Sequence, residues 1–424
     1  MWRVGRRLRI KRCLLIAPKH SYRIAAYLRA ARELGVELVI ASDGKDSLVQ
    51  ELAAGIHIDF DQPAQAAQRI SDFADQYALQ AVLPSDDRSV PLSAQVAAQL
   101  KLRHNSPQTA IATRRKDISR KLLEQAGLKV PRHQRLLLDD ILTRQRLPDF
   151  AAPWVLKPLS LSASSGVIRV DRAQDLVAAA QQIATLVAPL SDAEESSQIL
   201  VESYIDGDEV AVEALMNQQG LRLLAIFDKP DPLCGPYFEE TLYVTPSRHS
   251  SRRLANIQAQ LERAVSALGV RTGPVHAEFR LDRDDQAWIL EIATRSIGGD
   301  CARSLEYIHG HSLEAMIIAN ALNIELAAPQ QTSPAAGVMM IPTPKPGVLR
   351  RVEGIMAAQR VPGIESVELA VREGHELQVL PQASSYLGFI FARGDDPANV
   401  EQALRQAHAE LNIVVAPMFR AQLM

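Results

Sequence analysis

Glu278 and Glu291 are the two carboxylates of this chain best placed to act together. Each lies in an apolar-alternating run, 275–281 and 287–292, and the polar segment 282–286 separates the runs. That is the pattern of a β-hairpin. Symmetric closure between Asp284 and Asp285 sets Glu278 directly across from Glu291, on one face. Facing carboxylates repel and weaken the ladder, so Glu→Gln at either position is expected to leave the empty protein no less stable. A divalent cation between them reverses that sign, because magnesium takes carboxylate oxygens. On the same face, His276 falls across from Ala293, with Arg295 just beyond. Arg295 and Gly298-Gly299 supply a fixed cation and bare backbone able to approach a phosphate. The alternative is a solvated edge hairpin with both glutamates facing water.

Several upstream elements must position partners for this pair. Lys157 ends the apolar run 153–157, and Pro158 stops the ladder there. A buried ammonium needs an anionic partner; the alternative is a lysine that snorkels to the surface. Directly after it, Ser160-Leu-Ser-Ala-Ser164-Ser165-Gly166 is small, polar and flexible, a loop able to lay backbone N–H groups over phosphates. A helix over 107–127 carries Arg114, Arg115, Lys116, Arg120 and Lys121. Such a charge run is a solvated face unless something anionic meets it. Strand 198–205, the turn Asp206-Gly207-Asp208 and strand 209–216 carry Glu202 and Glu209. Period two places Glu209, Ala211 and Glu213 on one face. Residues 227–240 form a long, proline-punctuated segment, with Lys229 and Glu240 as charge partners in a recognition loop.

Around these elements, strands at 12–17, 36–40, 56–60 and 81–83 alternate with helices beginning at the cap Ser21 and over 63–77 and 89–100. The alternation predicts a small doubly wound domain, with no G-x-G-x-x-G to hold a dinucleotide. His309-Gly-His311 reads as a loop before a helix capped by Ser312, not as a metal site. Prolines at 329, 334, 342, 344 and 346 mark a boundary before a small α+β region with strands at 364–371 and 386–391 and a helix over 397–411.

Bulk properties narrow the class. With 424 residues, 47% hydrophobic and 23% charged, the chain holds two to four globular domains. A formal charge of -2 gives no bias towards nucleic acid. The basic opening MWRVGRRLRIKR precedes an apolar run too short for a signal peptide, and no stretch reaches the roughly 18 apolar residues of a membrane span. Three cysteines without CxxC spacing fit a reducing cytoplasm.

The order of these motifs resembles the ATP-grasp superfamily. Its second metal carboxylate lies in a run similar to Glu-x-Asn-x-Arg-x-x-Gly-Gly; here the run is Glu291-Ile-Ala-Thr-Arg295-Ser-Ile-Gly298-Gly299. Ala293 replaces the usual Asn and removes one ligand, as amino-acid ligases of the superfamily often do. The resemblance implies an α/β and α+β architecture: an N-terminal doubly wound pre-ATP-grasp domain (1–105), small and large ATP-grasp subdomains (106–190 and 191–330), and a small α+β C-terminal domain (331–424). It implies ATP and Mg²⁺ as cofactors. Lys116, with Arg115 its nearest competitor, and Lys157 would hold phosphates under the Ser164-Ser165-Gly166 loop. Tyr204 and Ile205 would bond the adenine edge, Glu202 would accept from its amino group, and Glu209 would take the ribose hydroxyls. Glu278 and Glu291 would hold magnesium. Arg295 would stabilise an acyl phosphate and tetrahedral oxyanion, and His276 would contact the reacting carboxylate. The implied activity is an ADP-forming carboxylate–amine ligase on amino acids, with small-molecule partners, no nucleic acid, no membrane, and a homodimer left open. A biotin-carboxylase-like enzyme and a nucleotide-binding protein without turnover are the alternatives.

Overall fold

The structure is a computed structural model that describes residues 11–43, 54–329, 332–380 and 386–418. The basic opening up to residue 10 and Gly44 lie outside the described residues. Strands β1 (Arg12–Ile16), β2 (Glu37–Ser42), β3 (Ala54–His57) and β4 (Ala81–Pro84) form a parallel sheet in the order β3-β2-β1-β4. β1 and β4 are buried along nearly their whole length, which is why they read as continuous apolar runs. Helices α1 (Ile24–Glu33), α2 (Pro63–Gln76) and α3 (Val90–Gln99) cover the faces. α1 starts at Ile24 with Arg23 in the N-cap position, so Ser21 is not its cap; Ser21 sits in the preceding turn.

The expected single helix over 107–127 is broken into α4 (Pro107–Arg114) and α5 (Lys116–Gln125). Arg115 is extended at φ -83, ψ 106, and the Lys116 N–H leaves the helical ladder to donate to the Leu159 carbonyl at 2.8 Å. The break makes Lys116 the first residue of α5 and aims it inward.

A four-stranded sheet follows, in the order β5-β8-β6-β7, from β5 (His133–Leu137), β6 (Trp154–Pro158), β7 (Ile168–Val170) and β8 (Gln198–Ser203). Helix α6 (Leu176–Val187) packs its Leu176, Ile183 and Val187 against that sheet. The largest sheet is antiparallel. It is built from β9 (Asp208–Asn217), β10 (Gly220–Asp228), β11 (Leu242–Thr245), β12 (Gly273–Leu281) and β13 (Ala287–Ala293), with α7 (Ser251–Ala267) against it. Helices α8 (Arg303–His309) and α9 (Leu313–Leu322) lead on to β14 (Ala335–Ile341), β15 (Gly347–Glu353), β16 (Ile364–Leu369), β17 (Glu376–Leu377) and β18 (Gly388–Gly394), then α10 (Pro397–Ala409) and β19 (Asn412–Ala416). β14 pairs with β11, so β14, β18 and β16 extend the large sheet without interruption: β13-β12-β9-β10-β11-β14-β18-β16. β15, β17 and β19 form a separate three-stranded sheet.

The hairpin pairs Glu278 with Glu291 and His276 with Ala293, the register expected from the sequence. It does so by a different route. The turn is centred on Asp284, closed by the Asp282 N–H to the Gln286 carbonyl at 3.1 Å, which shifts the pairing by one residue up to Phe279–Ile289. One extra residue, Leu290, then restores the register as a β-bulge. Ser312 caps α9 by accepting from the Ala315 N–H, while His309 and His311 face backbone carbonyls.

Candidate functional site: a carboxylate cluster between three regions

A cavity of about 800 Å³ opens where the N-terminal sheet, the two middle sheets and the C-terminal strands meet. Tyr22 and Asp87 line it from the first region, Lys157 and Tyr204 from the second, Glu278 and Glu291 from the hairpin, and Phe389 from β18.

Both hairpin carboxylates carry protein cations. Glu278 Oε1 lies 2.9 Å from the Lys229 ammonium and 3.6 Å from His276 Nε2. The same ammonium donates to Glu209 at 2.8 Å and Glu240 at 2.6 Å, so one buried lysine binds three carboxylates. Burial opposes the charge of Glu278, but Lys229 and His276 hold its carboxyl well below the usual range. Glu291 lies 3.5 Å from Lys116 and 3.8 Å from Arg295. Beneath the hairpin, His276 Nδ1 is 2.5 Å from the fully buried Glu213. Burial alone would lower the imidazole; its bonds to Glu213 and Glu278 prevail and raise it to about 9. His276 is therefore a buried cation near neutral pH.

Arg295 donates Nε to Asp87 at 2.9 Å and Nη1 to the Ser296 carbonyl at 3.1 Å. Arg23 of the N-terminal region donates to Ser296 Oγ at 2.7 Å and to the Ile297 carbonyl, fixing the segment after Arg295. Ala293 is fully buried.

At the other end, Glu202 is 1% exposed and bonded by Arg120 and, at 2.7 Å, by Lys157. Burial would raise this carboxyl; the two cations bring it down to about 2. The carboxylate expected to take an adenine amino group is thus engaged by protein cations. So is Glu209, whose oxygens accept from Lys229 and, at 2.9 Å, from Arg280. Arg280 also donates to the Ile205 carbonyl at 2.8 Å and stacks 4.9 Å from the Tyr204 ring, while Arg169 lies 3.9 Å over that ring. Lys116 Nζ donates to the Leu161 carbonyl at 2.8 Å. Of the serine loop, Ser164 lines the cavity; Ser165 and Gly166 do not. Gly166 packs on Pro158, where an added Cβ would come within 2.8 Å of the proline ring.

Hard oxygen donors on adjacent strands, with side chains 20% and 23% exposed at Glu278 and Glu291, fit a magnesium ion. Lys116, Lys157 and Arg295 around the same cavity fit a polyphosphate. Sequence reasoning missed Arg280 and Asp87, and placed Arg120 only in a charge run on a helix face, without its partner Glu202. Arg280 continues the 276–278–280 alternation of β12 and could have been read from it; Asp87 lies too far away in sequence. Lys229 and Glu240 do pair, but as part of a cluster with Glu209 and Glu278.

Residues 150–304 match the family model described as ATP-grasp domain, and residues 339–416 match L-amino acid ligase C-terminal domain 2. The chain contains an ATP-grasp domain. Its fold is the ATP-grasp fold: an L-amino acid ligase from Bacillus licheniformis superposes with a TM-score of 0.83 at 25% identity, over 96% of this chain and 99% of that one. The alanine–anticapsin ligase of Bacillus amyloliquefaciens is 23% identical over 62% of this chain and 58% of its own length. A D-alanine–D-alanine ligase from Ectopseudomonas mendocina is 30% identical over 40% of this chain and 51% of its own length. The chain thus spans less than two thirds of these two relatives. ATP-grasp structures of this fold include complexes with ADP and with ATP. Among the described residues, no helix is long and apolar enough to cross a membrane.

Proposed function

We propose that this ATP-grasp chain is an ADP-forming carboxylate–amine ligase acting on amino acids in the cytoplasm. One observation carries the reading: a single cavity runs from the Tyr204-Ile205 hinge, past Glu278 and Glu291, to Arg295 and beyond, with room for a nucleotide and small substrates together. Related ATP-grasp proteins named as amino-acid ligases support it.

A substrate carboxylate oxygen attacks the γ-phosphorus of ATP, and the bond to ADP breaks. The substrate amine then adds to the acyl carbon of the acyl phosphate. Loss of phosphate and of the amine proton leaves an amide. The chain contributes position and charge. Tyr204 and Ile205 seat the adenine, and Arg280 fixes the Ile205 carbonyl. Lys116, Lys157 and the Ser164 segment hold phosphates. Magnesium on Glu278 and Glu291 would supply neutralisation of the phosphate charge. Arg295, held by Asp87, faces the oxyanion as it develops. His276, charged and buried, holds Glu278 in place.

The test is ADP release from Mg·ATP in a screen of paired amino acids. The reading expects release only when an amine and a carboxylate substrate are both present. Release that needs bicarbonate instead, or none with any pair, would contradict it.

A further inference from the structure

Residues 229–241 join β10 to β11, and both ends of this segment reach the carboxylate cluster, Lys229 at one and Glu240 near the other. Two arginines hold its middle. Arg169 on β7 donates Nη1 to the Cys234 carbonyl at 2.8 Å, and its own backbone N–H donates to the Pro236 carbonyl at 2.8 Å. Arg280 on β12 donates Nη2 to the Leu233 carbonyl. Gly235 makes the close approach to β7 possible: its φ is +90, and an added Cβ would stand 2.8 Å from the Arg169 Cβ. On α6, Gln182 accepts from the Tyr237 hydroxyl at 3.1 Å. The same two arginines meet on Tyr204. Arg169 lies 3.9 Å from the centre of that ring and Arg280 4.9 Å. A guanidinium is planar, so it can stack on an aromatic face and donate from its rim at the same time. β7 belongs to the four-stranded sheet and β12 to the large one, so the Tyr204 ring joins the two halves that enclose the cavity.

From this arrangement we infer that Arg169 is a positioning residue: through the Tyr204 ring it ties residues 233–236 to the adenine seat, making them a strap that a seated base orders. The inference rests on the reading that Tyr204 and Ile205 seat the adenine. A base bonded to that backbone restrains the Tyr204 ring, the ring restrains the Arg169 plane, and the Cys234 carbonyl follows the guanidinium that bonds it. Arg280 acts from the other side, since it holds both the Ile205 and the Leu233 carbonyls. The ordered strap in turn keeps Glu240 on Lys229, beside Glu278. Coupling of this kind is reciprocal, so loosening the strap weakens nucleotide binding.

Cys234 supplies the readout. It is exposed, whereas Cys13 and Cys301 are buried, and it lies off the cavity lining, so a bound nucleotide does not cover it directly. The rate of Cys234 modification by a chromogenic aromatic disulfide is recorded on the full chain, empty, with Mg·ADP and with Mg·pyrophosphate; calorimetry gives the Kd of Mg·ADP. In wild type, Mg·ADP is expected to slow modification about fivefold, and Mg·pyrophosphate to leave it unchanged because it brings phosphate without a base. Arg169→Met is expected to raise the Kd of Mg·ADP about tenfold, to speed modification of the empty protein and to abolish the protection. Tyr237→Phe removes one hydroxyl from the same segment and is expected to shift both readouts in the same direction by about twofold. Binding of Mg·ADP with no change at Cys234 would overturn the strap and leave the ligase reading standing, as would equal protection by Mg·pyrophosphate. An Arg169→Met protein that melts earlier but keeps the wild-type Kd and protection would show a merely structural arginine and overturn it too. Should Arg169→Met fail to fold, wild-type behaviour of Tyr237→Phe in both readouts overturns it. A wild type that binds no Mg·ADP would remove the adenine seat itself, and the strap with it.

Discussion

Asp87 accepts from Arg295 Nε at 2.9 Å across 208 residues of chain. The carboxylate follows β4 at the end of the parallel sheet; the guanidinium follows β13. The ion pair therefore ties the N-terminal region to a cation that lies 3.8 Å from Glu291. Burial opposes the Asp87 charge, but Arg295 holds its carboxyl below the usual range.

Asp87→Asn is expected to cut turnover by about 100-fold through loss of Arg295 position, while ATP affinity stays within a few-fold of wild type. Calorimetry with Mg·ATP beside an ADP-release assay separates the two. A matching loss of ATP affinity would place Asp87 at the nucleotide instead.

Two facing glutamates in sequence suggested that Glu→Gln would leave the empty protein no less stable. The structure corrects this expectation, because Lys229 and His276 sit on Glu278, and Lys116 and Arg295 lie near Glu291. Glu278→Gln should destabilise the protein by about 1.5–3 kcal/mol, the range for hydrogen bonds to charged groups. Glu278 has a depressed carboxyl, so its contribution is present above the unfolded carboxylate range and lost as pH falls through the folded value. The stability gap between wild type and Glu278→Gln should therefore close in acid. Chemical denaturation at pH 7 and at pH 3 reads it directly.

His276 shifts in the opposite direction. Its folded value is raised to about 9, above the unfolded range near 6.5. Its contribution is complete below about pH 6.5 and disappears as pH rises through about 9. Wild type should lose stability between pH 7 and 10, and Glu213→Gln should show a flatter profile from a lower starting point. A His276 ring signal titrating near 6.5 in NMR would contradict the buried cation.

How much of this was legible in the sequence depends on distance along the chain. The Glu278–Glu291 pairing was legible because alternation on both strands fixes a face, even though the turn and the Leu290 bulge were not foreseen and offset each other. The Ser312 cap was legible because its evidence is local. The break at Arg115 was not, since it depends on the Lys116 N–H finding the distant Leu159 carbonyl. Lys229 was visible as a charge in a long loop. Its three partners come from β9, the loop before β11 and β12, and only the sheet order brings them together. The continuity of β14, β18 and β16 with the large sheet was hidden for the same reason, since prolines mark a change in the chain but not which strand pairs next.

Lys229→Met should leave Glu209, Glu240 and Glu278 without their shared cation and cost about 3–5 kcal/mol, as when one partner of a buried ion pair is removed. Mn²⁺ should recover part of that loss in the mutant and raise its melting temperature more than it does in wild type. An identical Mn²⁺ response in the two proteins would show that Lys229 does not control the charge at Glu278.

The most direct measurement of the ligase account follows oxygen. Amino-acid substrate labelled with ¹⁸O in its carboxylate is turned over with Mg·ATP, and the released phosphate is analysed by mass spectrometry. Phosphoryl transfer to the carboxylate predicts one ¹⁸O in each phosphate, with ADP as the nucleotide product. Unlabelled phosphate, or AMP with pyrophosphate, would contradict an acyl-phosphate route.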